Sequence, residues 1–376
     1  MSIMAAALLA SCSDEGGEMV PERRLSLSLG ARQFLAAEDG KTRALPDGFV
    51  LYKTMYPDMQ SDDDKILAFI TPKNGSAVMS RLCRWTSDEN NWQANVSVDD
   101  ISDPYYIYGF MPVSSNTSDN ISVARLPESG GGYKSYAKGA VITVRNLNAV
   151  TDKDPCVIVG VKKPAGGTTS IEDSGIVPGQ FEYEFSEITE SSANNDFVYL
   201  LFDHIYMGLE IKIKVDAGYA ELRKIRLKSM TLEMPSASTV NAVVTLEANG
   251  DEQSPISSVT YTTSATGGDA AVSLSLKHET DGKDFLLETD YKDISACFCP
   301  ASDDGFRLTT TYDVYDRSDN LIRAGETAVN SFSLSNLQSA DFKAGTRHIL
   351  RLNVQPTYLY MLSDPDLDNP TINIEH

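Results

Sequence analysis

The stretch "LEIKIKVD", residues 209–216, alternates apolar and polar side chains along its whole length. Its apolar positions are Leu209, Ile211, Ile213 and Val215, and the charged positions between them are Glu210, Lys212 and Lys214. Because successive side chains of a β-strand point to opposite faces, this pattern predicts a strand with one buried face and one solvated face. Strands of that kind are typical of antiparallel sheets.

The same alternation recurs further along the chain. The apolar positions are Ile225, Leu227 and Met230 or Leu232 in "KIRLKSMTLEM" (224–234), and Ile349 or Leu350, Leu352 and Val354 in "HILRLNV" (348–354). Many other short apolar runs lie between turn residues, with almost no helical periodicity and no fixed-period repeat. We therefore expect an all-β fold built from antiparallel β-sandwiches.

A polar region between residues 164 and 196 divides these runs into two groups. It includes "PAGGTTSIEDSG" (164–175) and "TESSANND" (189–196), which are rich in turn-forming residues. The sequence therefore predicts an N-terminal sandwich over residues 44–193 and a C-terminal sandwich over residues 194–376.

The charge balance restricts the partners of this chain. The 376 residues include 53 Asp and Glu against 32 Lys and Arg, which gives a formal net charge of −21. Such a surface repels phosphate backbones, so we expect no nucleic-acid partner. No stretch reaches the roughly 20 apolar residues that span a bilayer.

Near the N-terminus, "LLASCSDE" (8–15) places Cys12 after an apolar run and small residues, and acidic residues follow it. This arrangement resembles the lipobox of bacterial lipoproteins, in which the cysteine is diacylated on its thiol and becomes the new N-terminus after cleavage of the signal peptide. It predicts a signal peptide over residues 1–12 and a lipid on Cys12, so that the chain contacts a membrane only through that anchor. The alternative is a chance cysteine near a terminus. The basic residues that normally precede such a signal are missing from the printed sequence.

Catalytic motifs are not found in the sequence. The histidines are His204, His278, His348 and His376, and none lies in a recognisable catalytic or metal-binding motif. We expect His204, in the apolar "FDHIY", to be a core or edge residue with one hydrogen bond. Cys297 and Cys299 are predicted to share one strand face as small buried residues. The sequence thus predicts neither an enzyme nor a cofactor.

A weak calcium-binding pattern lies near the C-terminus. Asp364, Asp366 and Asp368 in "SDPDLDN" (363–369) recur at a spacing that can wrap oxygens around Ca²⁺. Asn369 stands where the EF-hand loop has glycine, and an acidic turn without metal is the other interpretation.

The N-terminal third contains an alternating strand followed by a polar connector. "RLSLSLGARQFLA" (24–36) presents Leu25, Leu27 and Leu29 on one face, and residues 37–48 form a Gly- and Pro-containing connector that includes Arg43. Exposed connectors of this kind are cut by proteases. Cleavage there would free the first strand, and a sandwich without that strand exposes an apolar groove and unpaired backbone groups. The alternative is a strand that simply belongs to the first sheet.

Several of these stretches together resemble the fimbrillins, the type V pilins of Gram-negative anaerobes. Besides the lipobox, they are "TRA" (42–44), "YYIYGFMP" (105–112), "FDHIYMGLEIKIKV" (202–215) and "AGTRHILRLNV" (344–354). The resemblance extends over most of the chain, from about residue 8 to residue 376, and the order of these loose motifs carries it.

This resemblance implies two tandem transthyretin-like β-sandwich domains and export as a lipoprotein to the outer membrane and cell surface. It implies that an arginine-specific protease cuts between Arg43 and Ala44 and removes residues 13–43 with their strand. Mature subunits would then assemble into a fimbrium for cell adhesion by donor-strand exchange with other pilin subunits, and a host surface ligand would be a further partner. In the tail "NPTINIEH" (369–376), Ile372 and Ile374 alternate as in a donor strand. Shaft, tip and anchor roles remain open.

The alternative function is a monomeric surface lipoprotein that binds glycan or another host ligand through its sandwich loops. Tyr105, Tyr106, Tyr108, Trp85 and Trp92 are aromatic residues that either stack on sugars or pack in the core. The fimbrial subunit is the leading hypothesis of the two.

Overall fold

The computed structural model describes residues 22–36, 49–51, 55–56, 65–72, 79–86, 91–97, 105–113, 118–162, 182–183, 197–248, 256–266, 271–274, 276, 285–302, 304–333, 343–357 and 366–375. These residues form β-strands joined by turns, with one short helix, α1 (Ala217–Ala220), and 3-10 turns at Ser118–Asn120 and Tyr136–Lys138. The predicted all-β class, with antiparallel sheets in sandwich-like arrangements, is confirmed. Within the described residues, no helix is long and apolar enough to cross a membrane.

The strands are numbered in chain order. The first twelve are β1 (Glu22–Arg32), β2 (Leu35–Ala36), β3 (Phe49–Leu51), β4 (Lys65–Pro72), β5 (Met79–Thr86), β6 (Asn91–Ser97), β7 (Tyr105–Met111), β8 (Ile121–Arg125), β9 (Gly139–Asn148), β10 (Cys156–Lys162), β11 (Glu182–Tyr183) and β12 (Phe197–His204). The others are β13 (Met207–Val215), β14 (Lys224–Glu233), β15 (Thr239–Glu247), β16 (Ile256–Ala265), β17 (Val272–Leu274), β18 (Phe285–Leu286), β19 (Lys292–Cys299), β20 (Gly305–Tyr315), β21 (Leu321–Ser333), β22 (Thr346–Thr357) and β23 (Asp366–Glu375).

The first sheet closes on itself. Its strand order is β10-β12-β1-β6-β5-β4-β7-β11, and β10 also pairs with β7. The strands from β10 round to β7 therefore form a closed ring with no free edge between them. Its strands also contribute Phe69, Tyr108, Phe110 and Tyr199, which are all buried, to the hydrophobic core that they share with the other sheets.

Three further sheets complete the fold. One has the order β19-β13-β22-β2 with β23 paired to β22, and another has the order β17-β14-β20-β21 with β18 paired to β14. The last sheet, β16-β15-β9-β8, combines strands that precede and follow β10 in the chain. Most pairs are antiparallel, but β12 with β1, β13 with β22 and β2 with β22 are parallel.

The alternating strands face as their sequences predict. Leu209, Ile211, Ile213 and Val215 of β13 are all buried. In β14 the buried positions are Ile225, Leu227, Met230 and Leu232, because a register shift between Leu227 and Ser229 moves the apolar face by one residue. In β22 the core residue is Leu350, while Ile349 is only half-buried.

The predicted division at residue 193 falls before a strand of the first sheet. β12 pairs with β1 and β10, so the chain leaves the first sheet only after His204. In addition, β9 pairs with β15 from Gly139↔Glu247 to Asn148↔Thr239. This shared sheet joins the two halves by backbone hydrogen bonds, and the domain limits themselves stay a prediction.

Candidate functional site: the first strand and its anchor

The N-terminal strand β1 lies inside the first sheet. Its residues 26–31 pair in parallel with 197–202 of β12, and its residues 22–27 pair antiparallel with 92–97 of β6. Leu29 is 4% exposed and Ala31 is fully buried. β1 also pairs with β3, from Gly30↔Leu51 to Arg32↔Phe49. Removal of β1 would therefore leave unpaired backbone groups on β12, β6 and β3, and an apolar gap between β12 and β6.

The end of β1 is held by His204. The imidazole Nε2 of His204 lies 2.5 Å from the carbonyl oxygen of Arg32, and its Nδ1 lies 2.6 Å from Oδ2 of Asp154. The side chains of His204 and Asp154 are both 0% exposed, and the hydroxyl of Tyr56 donates a further hydrogen bond to the Asp154 carboxylate. A carbonyl and an ionised carboxylate only accept hydrogen bonds, so opposite these two groups both ring nitrogens act as donors. His204 is thus a buried imidazolium.

The charges around His204 agree with that protonation state. Burial by itself lowers the pKa of His204, but the charge of Asp154, the hydrogen bond to it and the charge of Asp203 raise the pKa by more. The net result is a pKa above the ordinary value of 6.5. The sequence-based expectation of a single hydrogen bond for His204 was wrong, because both of its nitrogens are bonded.

Arg32 makes a second connection at the same place. Its Nε lies 3.0 Å from Oδ2 of Asp203, and its guanidinium lies 4.9 Å from the ring centroid of Phe49. The other carboxylate oxygen of Asp203 accepts a hydrogen bond from the backbone N–H of His204 at 2.9 Å. Asp203 therefore fixes the Arg32 side chain relative to the histidine that binds the Arg32 carbonyl.

Phe34 extends the contact to the second half of the chain. Its ring stacks on His204 with centroids 3.7 Å apart and planes 19° apart, and it lies 5.9 Å from the ring of Phe298. The guanidinium of Arg347 lies 5.4 Å from the Phe34 centroid, and a Cβ placed on Gly208 would lie 3.5 Å from the ring. Phe34 thus occupies a pocket, which we call the junction pocket. The residues that form it are Asp203, His204, Gly208, Phe298 and Arg347.

The backbone after Phe34 also joins the second half. Leu35 and Ala36, the residues of β2, pair in parallel with Thr346 and Arg347 of β22. The segment 32–36 thus connects the closed first sheet to the sheet of β13 and β22. A protein that loses β1 with this segment loses contacts in both halves.

Cys156 completes the buried cluster but does not form a catalytic triad. Its Sγ lies 3.7 Å from Nδ1 of His204, the nitrogen that already faces Asp154. In a triad the histidine stands between nucleophile and acid, one on each nitrogen. The thiol is fully buried, and burial followed by the Asp154 charge raises its pKa well above the usual range. This thiol is inert as a nucleophile.

The same three side chains are the one metal-ligating cluster found in the part of the chain that the structure describes. The candidate ligand atoms of Asp154, Cys156 and His204 lie within 4.8 Å of one another. Zinc would accept this donor set, but the 2.6 Å contact between Nδ1 and the carboxylate is that of a hydrogen-bonded ion pair. The ion pair accounts for the geometry.

The sequence-predicted site residues are located in different places. Cys12, Arg43, Ala44 and Asp364 lie outside the described residues. The backbone of Leu25 and Leu27 pairs with Ala94 and Trp92 of β6, while Leu29 contributes to the buried face of β1. The structure therefore shows β1 paired in its sheet, while its removal and its maturation site stay predictions.

The predicted donor strand is paired within its own chain. Residues 370–375 of β23 lie antiparallel to 351–356 of β22. Ile372 is 3% exposed and Ile374 packs against the core at its edge. To act as a donor, this strand would first have to leave its own sheet.

The calcium prediction also falls on β23. Asp366 begins the strand, and the carboxylate of Asp368 lies 2.7 Å from the guanidinium of Arg223. Asp368 is thus engaged by a cation of its own chain, and the calcium site stays a prediction.

The proposed sugar-stacking aromatics are mostly in the core. Trp92 is 3% exposed, Tyr106 4% and Tyr108 0%, and the Tyr108 hydroxyl donates to the carbonyl of Tyr136. The interpretation that these rings stack on a ligand was therefore wrong, because their faces are covered by protein. Cys297 and Cys299 are buried and free, as predicted.

Asp154, Arg32 and Phe34 were not predicted from the sequence. Asp154 lies in "KDPCVIVG" just before β10, and no spacing relates it to His204, which is 50 positions away. The available signal was the "ARQF" at 31–34, where a cation and an aromatic residue directly follow the alternating leucines.

The chain resembles solved structures more clearly than it resembles known sequences. No family model matches it, and no curated protein matches it. A fimbrial protein from Bacteroides vulgatus ATCC 8482 is 16% identical, with 93% of this chain and 98% of that chain covered and a TM-score of 0.37. A proposed cell adhesion protein from Bacteroides fragilis NCTC 9343 is 9% identical, with coverages of 94% and 97% and a TM-score of 0.41.

A further proposed cell adhesion protein, from Bacteroides uniformis ATCC 8492, is 15% identical, with coverages of 94% and 97% and a TM-score of 0.34. The matched proteins are of the fimbrial and adhesion kind that the fimbrillin resemblance predicts. Likeness at this level does not transfer a function to this chain.

Proposed function

We propose that this chain is a fimbrial subunit that contributes to cell adhesion and is assembled by strand exchange. In this proposal it is exported as a lipoprotein through Cys12, reaches the outer membrane and cell surface, and is cut after Arg43. The observation that carries the proposal is the position of β1. It is paired on both sides inside the first sheet, yet β1 and the short β2 after it are joined to β3 by the segment 37–48, which contains Arg43.

Cleavage in that segment would leave β1 held only by noncovalent contacts. The vacated slot would present backbone groups of β12 and β6 and the apolar gap left by Leu29 and Ala31. Slots of this kind bind an extended strand through main-chain hydrogen bonds, and alternate side chains give specificity. The occupant would be a strand from another pilin subunit.

The last described strand, β23, is poorly suited to fill the slot that β1 vacates in the first sheet. β23 contains Pro370, which cannot donate a ladder hydrogen bond and is suited to an edge strand. Only Thr371–Glu375 of β23 continue without proline. This mismatch favours a subunit that accepts a strand from a different subunit, as at a tip or in a mixed fibre.

The test is cleavage by an arginine-specific protease, followed by mass spectrometry. We expect a new N-terminus at Ala44 and dissociation of the N-terminal segment under conditions in which the uncut protein stays intact. Arg43→Gln should prevent the cut, and Lys41→Gln in the same connector should not.

Two outcomes would contradict the proposal. The first is resistance of the 37–48 segment to the protease. The second is a cut protein from which the N-terminal segment can be neither removed nor replaced.

A further inference from the structure

The ring of Phe34 lies close to two cationic groups. The buried imidazolium of His204 stacks on it with the ring centroids 3.7 Å apart, and the guanidinium of Arg347 lies 5.4 Å from the Phe34 centroid. An aromatic ring attracts cations through the negative charge of its faces, and an aliphatic side chain of similar size does not. The environment is therefore selective for an aromatic residue and not merely for an apolar one.

The groups beside Phe34 require a backbone carbonyl and a cation. The Nε2 proton of His204 is satisfied by the Arg32 carbonyl, and the Asp203 carboxylate is 3.0 Å from the Arg32 guanidinium. If the segment left without replacement, the His204 imidazolium would lose the Arg32 carbonyl as an acceptor and the Phe34 ring that stacks on it. Asp203, 5% exposed, would at the same time lose its cation.

The residues that now occupy the site show at which positions of a strand the apolar, cationic and aromatic side chains must lie. Leu29 and Ala31 face the core, Arg32 reaches Asp203 and Phe34 reaches His204. Gln33 lies between the last two and is exposed. The pattern is an alternating apolar strand that ends in a small residue, a cation, any residue and an aromatic residue.

We propose that the junction pocket is a recognition site for the strand that replaces β1, and that it selects a strand of another chain carrying this cation-x-aromatic ending. The proposal rests on the proposed function, because it concerns the occupant of the vacated slot. The junction pocket binds the cation and the aromatic residue at the end of the strand. The slot between β12 and β6 binds its alternating apolar residues. β23 contains neither an aromatic nor a basic residue between Asp366 and Glu375, so it does not fit this pocket.

The experiment uses the full chain cut after Arg43, with the protease then inhibited. Fluorescent peptides that span residues 22–36 compete for the slot, and their affinity is measured by anisotropy. The peptides are the wild-type sequence and the variants Phe34→Tyr, Phe34→Leu, Arg32→Ala and Gln33→Ala. Because the substitutions lie in the peptide, the folding of the protein is not affected.

We expect Phe34→Leu to bind about 10-fold more weakly than the wild-type peptide, since loss of the ring contacts is worth about 1.4 kcal/mol. Phe34→Tyr should bind within about 2-fold of wild type, because it keeps the ring. Arg32→Ala should also bind more weakly, and the exposed Gln33→Ala is the matched control and should bind normally.

A change in the protein isolates the pocket. Arg347→Ala, at a half-exposed position, should reduce the preference for the wild-type peptide over the Phe34→Leu peptide, which is measured as the ratio of their affinities. Equal affinities of the wild-type, Phe34→Leu and Gln33→Ala peptides would overturn the pocket while strand exchange itself stands. Failure of the wild-type peptide to enter the cut protein would instead overturn the proposed function.

Discussion

The first and last described strands, β1 and β23, are attached in opposite ways. β1 has neighbours on both sides and is fixed at its end by fully buried charges, His204 with Asp154. Among the strands that the structure describes, β23 pairs only with β22, and its carbonyls accept hydrogen bonds from side chains, such as that of Leu367 from the Tyr219 hydroxyl at 2.7 Å. Loss of β1 therefore opens a sheet from within, whereas loss of β23 uncovers an edge.

The comparison shows how a strand can be made removable yet specific. A strand that fills a vacated interior slot must pair with the strands on both sides, because both have lost their partner. Edge pairing makes β23 easier to detach, since only β22 loses a partner. We expect the buried charges and the interior position to make β1 the more strongly held of the two strands.

The largest effect should come from Asp154→Ala. The substitution leaves the His204 charge buried without its counter-ion, and breaking a buried pair in this way costs about 3–5 kcal/mol of unfolding free energy. The free energy is measured by urea unfolding of the uncut chain. Asp154→Asn keeps an acceptor for the Nδ1 proton and should cost less. A loss below about 1 kcal/mol for Asp154→Ala would mean that the ion pair does not anchor β1.

Cavity-forming substitutions in the two strands should differ in size and in extent. We expect Leu29→Ala to cost about 3 kcal/mol and Ile372→Ala about 2 kcal/mol, because an edge strand can shift to fill the space. Hydrogen exchange should speed up in β1, β6 and β12 for the first variant, and mainly in β23 for the second. If hydrogen exchange became faster in equally many neighbouring strands for both variants, the proposed difference between an interior strand and an edge strand would be contradicted.

Much of this arrangement could be predicted from the sequence, but only where the signal is local. The faces of β13 follow from the alternation at Leu209–Val215, because a period of two needs no knowledge of partners. The change of the buried positions from Leu227 to Met230 depends on the bulge in the pairing of β14 with β20. The sequence of one strand does not reveal such a bulge. The parallel pairing of Leu29 with Leu200 joins positions 171 apart and depends on the whole sheet.

The anchor was less predictable than the strand. His204 was identified from its apolar surroundings, but its partners Asp154 and Arg32 come from other elements and share no spacing with it. The cluster forms where the ends of β1 and β12 meet the residues that precede β10. The placement of such clusters therefore follows from tertiary packing and is not encoded in any one stretch.

The stability of the uncut chain should fall as the pH rises through the neutral range. The folded chain holds the His204 proton more tightly than the unfolded chain, since the folded pKa is raised above 6.5. The stabilisation is therefore fully present below about pH 6.5 and is lost as the pH rises through the higher folded pKa. Urea unfolding between pH 5 and pH 9 measures this slope, in buffers of equal ionic strength.

His204→Gln should flatten that slope, because it removes the titrating group. Glutamine keeps a donor and an acceptor, which limits the structural damage. Stability that rises with pH over this range in the wild type, or a slope that persists in His204→Gln, would show that His204 is not the group responsible.

The smallest effect should come from the corresponding ion pair of β23. Arg223 and Asp368 are 2.7 Å apart, but their side chains are 21% and 43% exposed. Pairs of this kind contribute about 0–1 kcal/mol, because water already solvates both charges. Asp368→Ala should therefore lower the unfolding free energy by about 0.5 kcal/mol, and roughly 1 M salt should remove even that difference. A loss as large as that of Asp154→Ala would mean that the last strand is anchored as firmly as the first, and the contrast on which its release depends would disappear.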